Sequence, residues 1–196
     1  MEQAHRHLIL ASSSPYRRNL LTQLGLTFEC ISPNLDEMPA AGEAACALAR
    51  RLAEAKAAYI LLKHPESLAI GSDQTADLEG TTLGKPHTVE RAVAQLKACS
   101  GKTVHFYSAI AVLTSRRRQV EMVCTKVKFR TLTEPQISAY IKKEEPLDCA
   151  GSFKCEGLGI ALFESIESTD PSALIGLPLI SLTQMLSAEQ IDVLTL

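Results

Sequence analysis

Apolar and polar residues alternate along this chain in blocks that mix a strand period with a helix period. Leu8-Ile9-Leu10-Ala11 is a short, wholly apolar run, the pattern of a buried strand. Three serines stop it. Pro15 then stands where a first helical residue stands, since its missing N–H would be unpaired there anyway. Leu20, Leu21 and Leu24 supply the apolar face of the helix it opens. Residues 27–31 read as a second strand, after a turn at Gly25. Residues 32–42 form a loop marked by Pro33, Asn34, Pro39 and Gly42. The longest helical stretch is 44–63, in which Ala45, Leu48, Leu52, Ala55 and Tyr59 recur in steps of three and four and define one face. Lys56 falls beside that face, and Arg50, Arg51 and Glu54 make the solvated side.

Residues 68–70 predict a third strand, ending in Gly71-Ser72-Asp73-Gln74. Runs at 75–78 and 81–83 flank Glu79-Gly80, a hairpin signal that Gly84-Lys85-Pro86 breaks. Thr88 caps a helix over 89–98, with Glu90 in its first turn. Long strand-like runs at 104–114 and 119–130 suit an antiparallel pair across the basic turn 115–118. A helix starts at Thr133-Glu134-Pro135 and runs to about 143. Loop at 144–158, strand at 159–163, loop at 168–178 and a helix around 182–186 complete the chain. Crossover and hairpin connections together predict an α/β or α+β fold.

At 196 residues the chain is long enough for one large domain or a domain with two lobes, and 46% hydrophobic residues supply a core. The net charge of −2 leaves no global basic field for nucleic acid, so an anion site has to be built locally. No run reaches the roughly 18 apolar residues of a membrane span. The polar start, 1–7, followed by a short apolar run, is no signal peptide. Six cysteines without Cys-x-x-Cys spacing read as reduced thiols in a cytoplasmic protein rather than as zinc ligands.

Candidate chemistry begins at Ser12-Ser13-Ser14-Pro15-Tyr16-Arg17-Arg18. A helix N-terminus favours an anion, hydroxyls donate to it, and guanidinium forks bind phosphate. The plain alternative is a Ser-capped helix with two solvated arginines. Asp73 closes a buried strand, where carboxylates face the ligand crevice of α/β proteins; its alternative is an Asx turn. Glu37, Lys56 and Lys85 are each read as solvated charges when taken singly. Taken together, two carboxylates, two lysines and an arginine-bearing helix start describe a polyphosphate site with a hard divalent ion. In the stretch 148–157, Phe153 could stack on a base and Glu156 could accept from a guanine edge. The alternative, a core-capping loop with Phe153 buried, weighs somewhat more.

Seven pieces in order resemble the Maf family of nucleotide pyrophosphatases: the serine turn with Tyr16, Arg17 and Arg18; Asp36-Glu37; the stretch 51–57; Gly71-Ser72-Asp73-Gln74; Gly84-Lys85-Pro86; Phe129-Arg130; and 148–157. Within the family the chain looks like the 7-methyl-GTP pyrophosphatase branch. The dTTP/UTP branch carries Arg at the position of Tyr16, Ala-Asp-Thr at 72–74, Lys at Cys149 and Gln at Glu156. The resemblance implies a single α/β domain over 1–196, with a mixed sheet, two lobes and an active-site cleft between them, often as a homodimer. It implies Mg²⁺ or Mn²⁺ as cofactor and hydrolysis of a nucleoside triphosphate between the α- and β-phosphates. It places the catalytic base at Asp73, and the specificity positions at Tyr16, Gln74 and Glu156. On this reading Ser12, Ser14, Arg17, Lys56 and Lys85 meet the phosphates, while Glu37 and Asp73 hold the metal. A 7-methylguanine base is cationic, so an aromatic face at Tyr16 and a carboxylate at Glu156 suit it. The alternatives are a pyrophosphatase for dTTP, UTP or another modified nucleotide, and a nucleotide-binding regulator of septum formation without turnover.

Overall fold

The computed structural model describes residues 7–195. Among them, seven strands form one mixed sheet. They are β1 (Leu8–Ala11), β2 (Phe28–Cys30), β3 (Leu68–Leu78), β4 (Thr81–Leu83), β5 (Thr103–Leu113), β6 (Arg118–Phe129) and β7 (Phe163–Glu167). Their order is β2-β1-β3-β5-β6-β7, with β4 hairpinned onto β3. β1 pairs in parallel with both β2 and β3, and every other pairing is antiparallel. Five α-helices join them: α1 (Pro15–Thr22), α2 (Ala45–Lys63), α3 (Val89–Cys99), α4 (Glu134–Glu144) and α5 (Leu179–Ser187). The expected α/β class holds. The expectation that the first residues are no leader concerns a segment that, except for His7, lies outside the described residues.

Alternation along β1 sends its side chains into two different cores. Leu8 and Leu10 pack with Leu20 and Leu21 of α1 and Leu182 and Leu186 of α5. Ile9 and Ala11 pack on the opposite face with Ala49, Ala53 and Ala57 of α2. A third cluster, built on Phe106, Phe129 and Leu96, lies where β3, β5 and β6 run on toward α3 and α4. The long strands therefore connect two ends of the sheet that are covered by different helices.

Three sequence expectations are corrected. The strand at 68–70 and the hairpin arm at 75–78 are one continuous strand, β3. The polar residues that broke the pattern are satisfied sideways: Ser72 donates to Ala109 O (2.8 Å) and Thr75 to Ala45 O (2.7 Å). The buried face of α2 is Ala45, Leu48, Ala49, Leu52, Ala53, Lys56, Ala57 and Ile60, while Ala55 and Tyr59 are only partly covered. Its cause is close packing of helix on strand: a Cβ on Gly71 would meet Ala53 O at 2.1 Å, so only small residues fit beneath. Finally, Leu158–Leu162 is a 3₁₀ helix, and the strand begins at Phe163. There Gly159 turns against the backbone of Lys154, donating its N–H to Lys154 O at 3.1 Å.

Candidate active site

β1 pairs with β3 only as far as Ala11 and Gly71, while β3 continues to Leu78. The space beyond the end of β1 opens into a cleft of about 880 Å³. With the order β2-β1-β3, the chain passes from β1 through α1 to β2 on one side and returns through α2 to β3 on the other, and α/β sheets take ligands at such a switch point. Ser12, Ser14, Tyr16 and Arg17 line the cleft from the start of α1. Glu37 enters from the loop after β2, Lys56 from α2, and Asp73 and Gln74 from β3. Lys85 comes from the segment after β4, and Glu156 from the loop after α4. Arg18 is exposed and does not line it.

The helix start is Ser-capped: Ser14 has extended backbone angles, and its Oγ accepts from Arg17 N at 3.4 Å. Ser12 Oγ accepts from Ser14 N at 3.1 Å. Both oxygens act as acceptors here, so both hydroxyl protons remain for an anion. Arg17 is half-buried, and its Nε donates to Gly176 O at 2.9 Å. Burial pulls its guanidinium below the usual value, and the carboxylates of Asp73 and Glu37 oppose that pull. Anchoring through Nε leaves the two terminal nitrogens as a fork for phosphate.

Lys56 is the centre of charge. It lies on the alanine-rich buried face of α2 with only 5% of its surface exposed. Its Nζ stands 2.7 Å from Asp73 Oδ1 and 2.7 Å from Glu37 Oε1. Asp73 is itself buried. Desolvation raises its pKa, against the pull of Lys56 and Arg17. Glu37 is half-exposed. Burial pushes it upward, but the hydrogen bond and charge of Lys56, with Lys85 and Arg17, leave it below the ordinary carboxylate value. Two hard oxygen donors thus converge on one point. Among the described residues no group of three or more His, Cys, Asp or Glu gathers as a metal cage. Mg²⁺ and Mn²⁺ commonly take one or two carboxylates and complete their shell with phosphate and water, so the donor set fits such an ion.

In the same cleft, Tyr16 sits among acidic groups. Burial, with Cys149, Asp148 and Glu156 nearby, pushes its hydroxyl up to about 12. The thiols of Cys149 and Cys155 are also raised to about 12, chiefly by burial, so they stay protonated and weakly nucleophilic. Cys155 donates to the exposed carboxylate of Glu156 at 3.5 Å. Phe153 does not project as a stacking platform. It is 5% exposed and packs edge-on against Phe106, Phe129 and Phe163. The core-capping alternative is therefore the correct one for Phe153.

Gln74 holds a position that sequence alone did not reveal. Its amide nitrogen donates to Ser108 Oγ (2.9 Å), Ala173 O (3.0 Å) and Leu174 O (3.0 Å). Only its carbonyl oxygen is left to face a ligand. The turn it grips is a buried polar knot. Asp170 accepts from Ser172 N at 3.0 Å and Ile180 N at 2.7 Å. Ser108 and Ser72 hold Ala173 O and Gly176 O at 2.7 and 2.9 Å. The signals present in sequence were Asp-Pro-Ser at 170–172 and Gly-Leu-Pro at 176–178, which mark turns without saying what they hold. His87, Arg91, Asp148 and Cys149 also line the cleft and were not selected from sequence as site residues.

The profile of the family described as Maf-like protein matches residues 7–189. A 7-methyl-GTP pyrophosphatase of Pseudomonas aeruginosa is 53% identical over 188 residues, covering 95% of this chain and 98% of that protein. A 7-methyl-GTP pyrophosphatase of Bordetella pertussis is 53% identical over 188 residues, covering 96% of this chain and 94% of its own. Among solved structures, the Ham1 protein of Staphylococcus aureus is 15% identical over 79% of this chain and 90% of its own, with a TM-score of 0.46.

Proposed function

The chain belongs to the Maf family, and from that premise we propose that it hydrolyses 7-methyl-GTP to 7-methyl-GMP and pyrophosphate, clearing a modified nucleotide before it is misused. The observation that carries this reading is the convergence of Asp73, Glu37 and Lys56 at 2.7 Å contacts beside the serine-rich start of α1. A triphosphate is the ligand whose charge matches that convergence of lysine, arginine and helix N-terminus.

Arg17 takes phosphate oxygens through its terminal nitrogens, and Ser12 and Ser14 donate their hydroxyl protons to them. Lys56 and Lys85 neutralise charge along the chain of phosphates. Asp73 is the base. Its Oδ1 accepts from Lys56, which leaves Oδ2 to take the proton of the water that attacks the α-phosphorus. Burial holds its pKa up, and a stronger base draws that proton better. Glu37 and Asp73 are the residues that would hold a divalent ion, which when bound supplies charge neutralisation at the phosphates. The cationic base lies toward Tyr16 and Glu156. An aromatic face attracts it, and the carboxylate accepts from the donors of its Watson–Crick edge. Gln74 contributes its carbonyl oxygen and fixes the turn beneath.

No helix among the described residues is long and apolar enough to cross a membrane. We extend the reading to a cytoplasmic homodimer, checked by fractionation and light scattering. The deciding experiment is pyrophosphate release from 7-methyl-GTP, GTP, dTTP and UTP with Mg²⁺ and with Mn²⁺. Preference for 7-methyl-GTP supports the reading; preference for UTP or dTTP moves the substrate; no release with any of them removes the enzyme.

A further inference from the structure

Lys56 has a second consequence. The carboxylates proposed to hold a divalent ion are the two it already bridges, at 2.7 Å each. A cation buried on an alanine face has to be paired, because isolated charge is costly away from water. Glu37 and Asp73 provide that pairing, and with Arg17 and Lys85 also acting on Glu37 the local sum is already positive: two negative and three positive groups. A free divalent ion would add two positive charges to an already positive, partly dry site, and would compete with Lys56 Nζ for the same oxygens. A triphosphate alone would add several negative charges beside two carboxylates. Metal and triphosphate together keep only a small net negative charge, which the positive excess of the site offsets, and the phosphates offer Lys56 new oxygens in place of those it yields.

We propose that Lys56 is a resident counter-ion that keeps free divalent metal off the Glu37–Asp73 pair, so that the ligand this site takes is the metal–triphosphate chelate, not the bare ion or the bare triphosphate. This rests on the pyrophosphatase reading of the same cleft. Lys56 then does two things in sequence: it guards the carboxylates, and it moves to phosphate when the chelate arrives. Metal and nucleotide bind with positive coupling as a result.

The test is Mn²⁺ binding in the absence of nucleotide, followed by electron paramagnetic resonance, with a melting curve for each protein. The wild type decides the first arm: it should bind free Mn²⁺ only in the millimolar range or more weakly, as expected where phosphates complete the shell. Lys56→Met, with Lys56→Gln as a second variant, should bind free Mn²⁺ at least about tenfold more tightly. Mn²⁺ should raise the melting temperature of either variant well above its effect on wild type. Adding Glu37→Gln to Lys56→Met should abolish the gain. Tight Mn²⁺ binding by wild type, or folded Lys56 variants with no gain, overturns the proposal. Pyrophosphate release by wild type from 7-methyl-GTP in the same Mn²⁺ buffer is scored separately. Turnover without the Lys56 effect removes the counter-ion role alone, whereas absence of turnover removes the pyrophosphatase reading.

Discussion

Arg17 donates its Nε to the carbonyl oxygen of Gly176 at 2.9 Å, tying the first turn of α1 to a turn 159 residues further along the chain. The Ser72 hydroxyl lies 2.9 Å from the same oxygen, sharing its one proton between it and Ala109 O. Gly176 is needed for its backbone: its φ is +120°, which L side chains rarely adopt, although a Cβ would find Arg17 Nε no nearer than 3.5 Å. Gly176→Ala should therefore strain the turn by about 1–3 kcal/mol, move the carbonyl and loosen Arg17. The expected result is a lower melting temperature and an affinity for inorganic tripolyphosphate reduced about tenfold, roughly 1.4 kcal/mol. Arg17→Ala should weaken that affinity further. A Gly176→Ala protein that melts early but binds tripolyphosphate normally would show that this carbonyl does not orient the arginine.

Gly71 carries a different demand. Its φ is ordinary, but a Cβ there would lie 2.1 Å from Ala53 O and 2.8 Å from Ala57 N, both backbone atoms of α2. Backbone cannot step aside as a side-chain tip can. Gly71→Ala should cost about 3 kcal/mol or more, at or beyond the upper end of overpacking effects. It should also lift Lys56 away from Asp73, since both lie next to this contact. Urea unfolding measures the first effect, and kcat on the folded fraction the second. Unchanged stability would mean that α2 does not sit directly on β3.

Much of this architecture was legible because local chemistry and tertiary packing agree. Ser14 followed by Pro15 marks a helix start whatever surrounds it, and Leu8 to Ala11 can only be buried. The reading failed where polar residues are inside. Ser72, Gln74 and Thr75 look like the end of a strand, yet each bonds to a neighbouring element, and β3 runs through them. On α2, alanine lies on several faces, so periodicity could not tell Ala53 and Ala57 from Ala55; Gly71 opposite decides which side is buried. The cleft residues were legible only in combination, since Asp73 reads singly as an Asx turn and Glu37, Lys56 and Lys85 as solvated charges, and the family resemblance is what picked them out. That Lys56 would bridge both carboxylates was not legible, because it depends on where the loop after β2 folds back.

Asp73 leads to a prediction in pH. A general base works unprotonated, so turnover is lost as pH falls through its pKa. Burial raises that pKa in the free protein, so the acid limb of kcat/KM, which reports the free enzyme, should lie above the ordinary aspartate value of about 3.9. Asp73→Asn keeps the shape, cannot take the proton, and should lower kcat by about 10²–10⁴-fold at every pH. The measurement is kcat/KM and kcat against pH for both proteins, with melting curves to show that each is folded. A variant with near-normal rate would move the base elsewhere, with Glu37 next in line.

Specificity is tested at Glu156 and Tyr16 together. Glu156→Gln preserves size, removes one negative charge and replaces an acceptor by a donor, which would face the donors of a guanine edge. Charge-assisted hydrogen bonds contribute about 1.5–3 kcal/mol when dry. Glu156 is exposed, so solvent screens it and the lower end applies: kcat/KM for 7-methyl-GTP should fall about tenfold. UTP, with an uncharged base, should be much less affected. Tyr16→Ala should act in the same direction, by about 0.5–2 kcal/mol of lost cation–π attraction. Tyr16 is only partly buried, so its removal should leave melting nearly unchanged. The quantity to measure is the ratio of kcat/KM for 7-methyl-GTP and UTP in each variant. If Glu156→Gln leaves that ratio unchanged, the methylated base does not lie against Glu156. If Tyr16→Ala lowers both activities and the melting temperature alike, Tyr16 is packing the helix rather than reading the base.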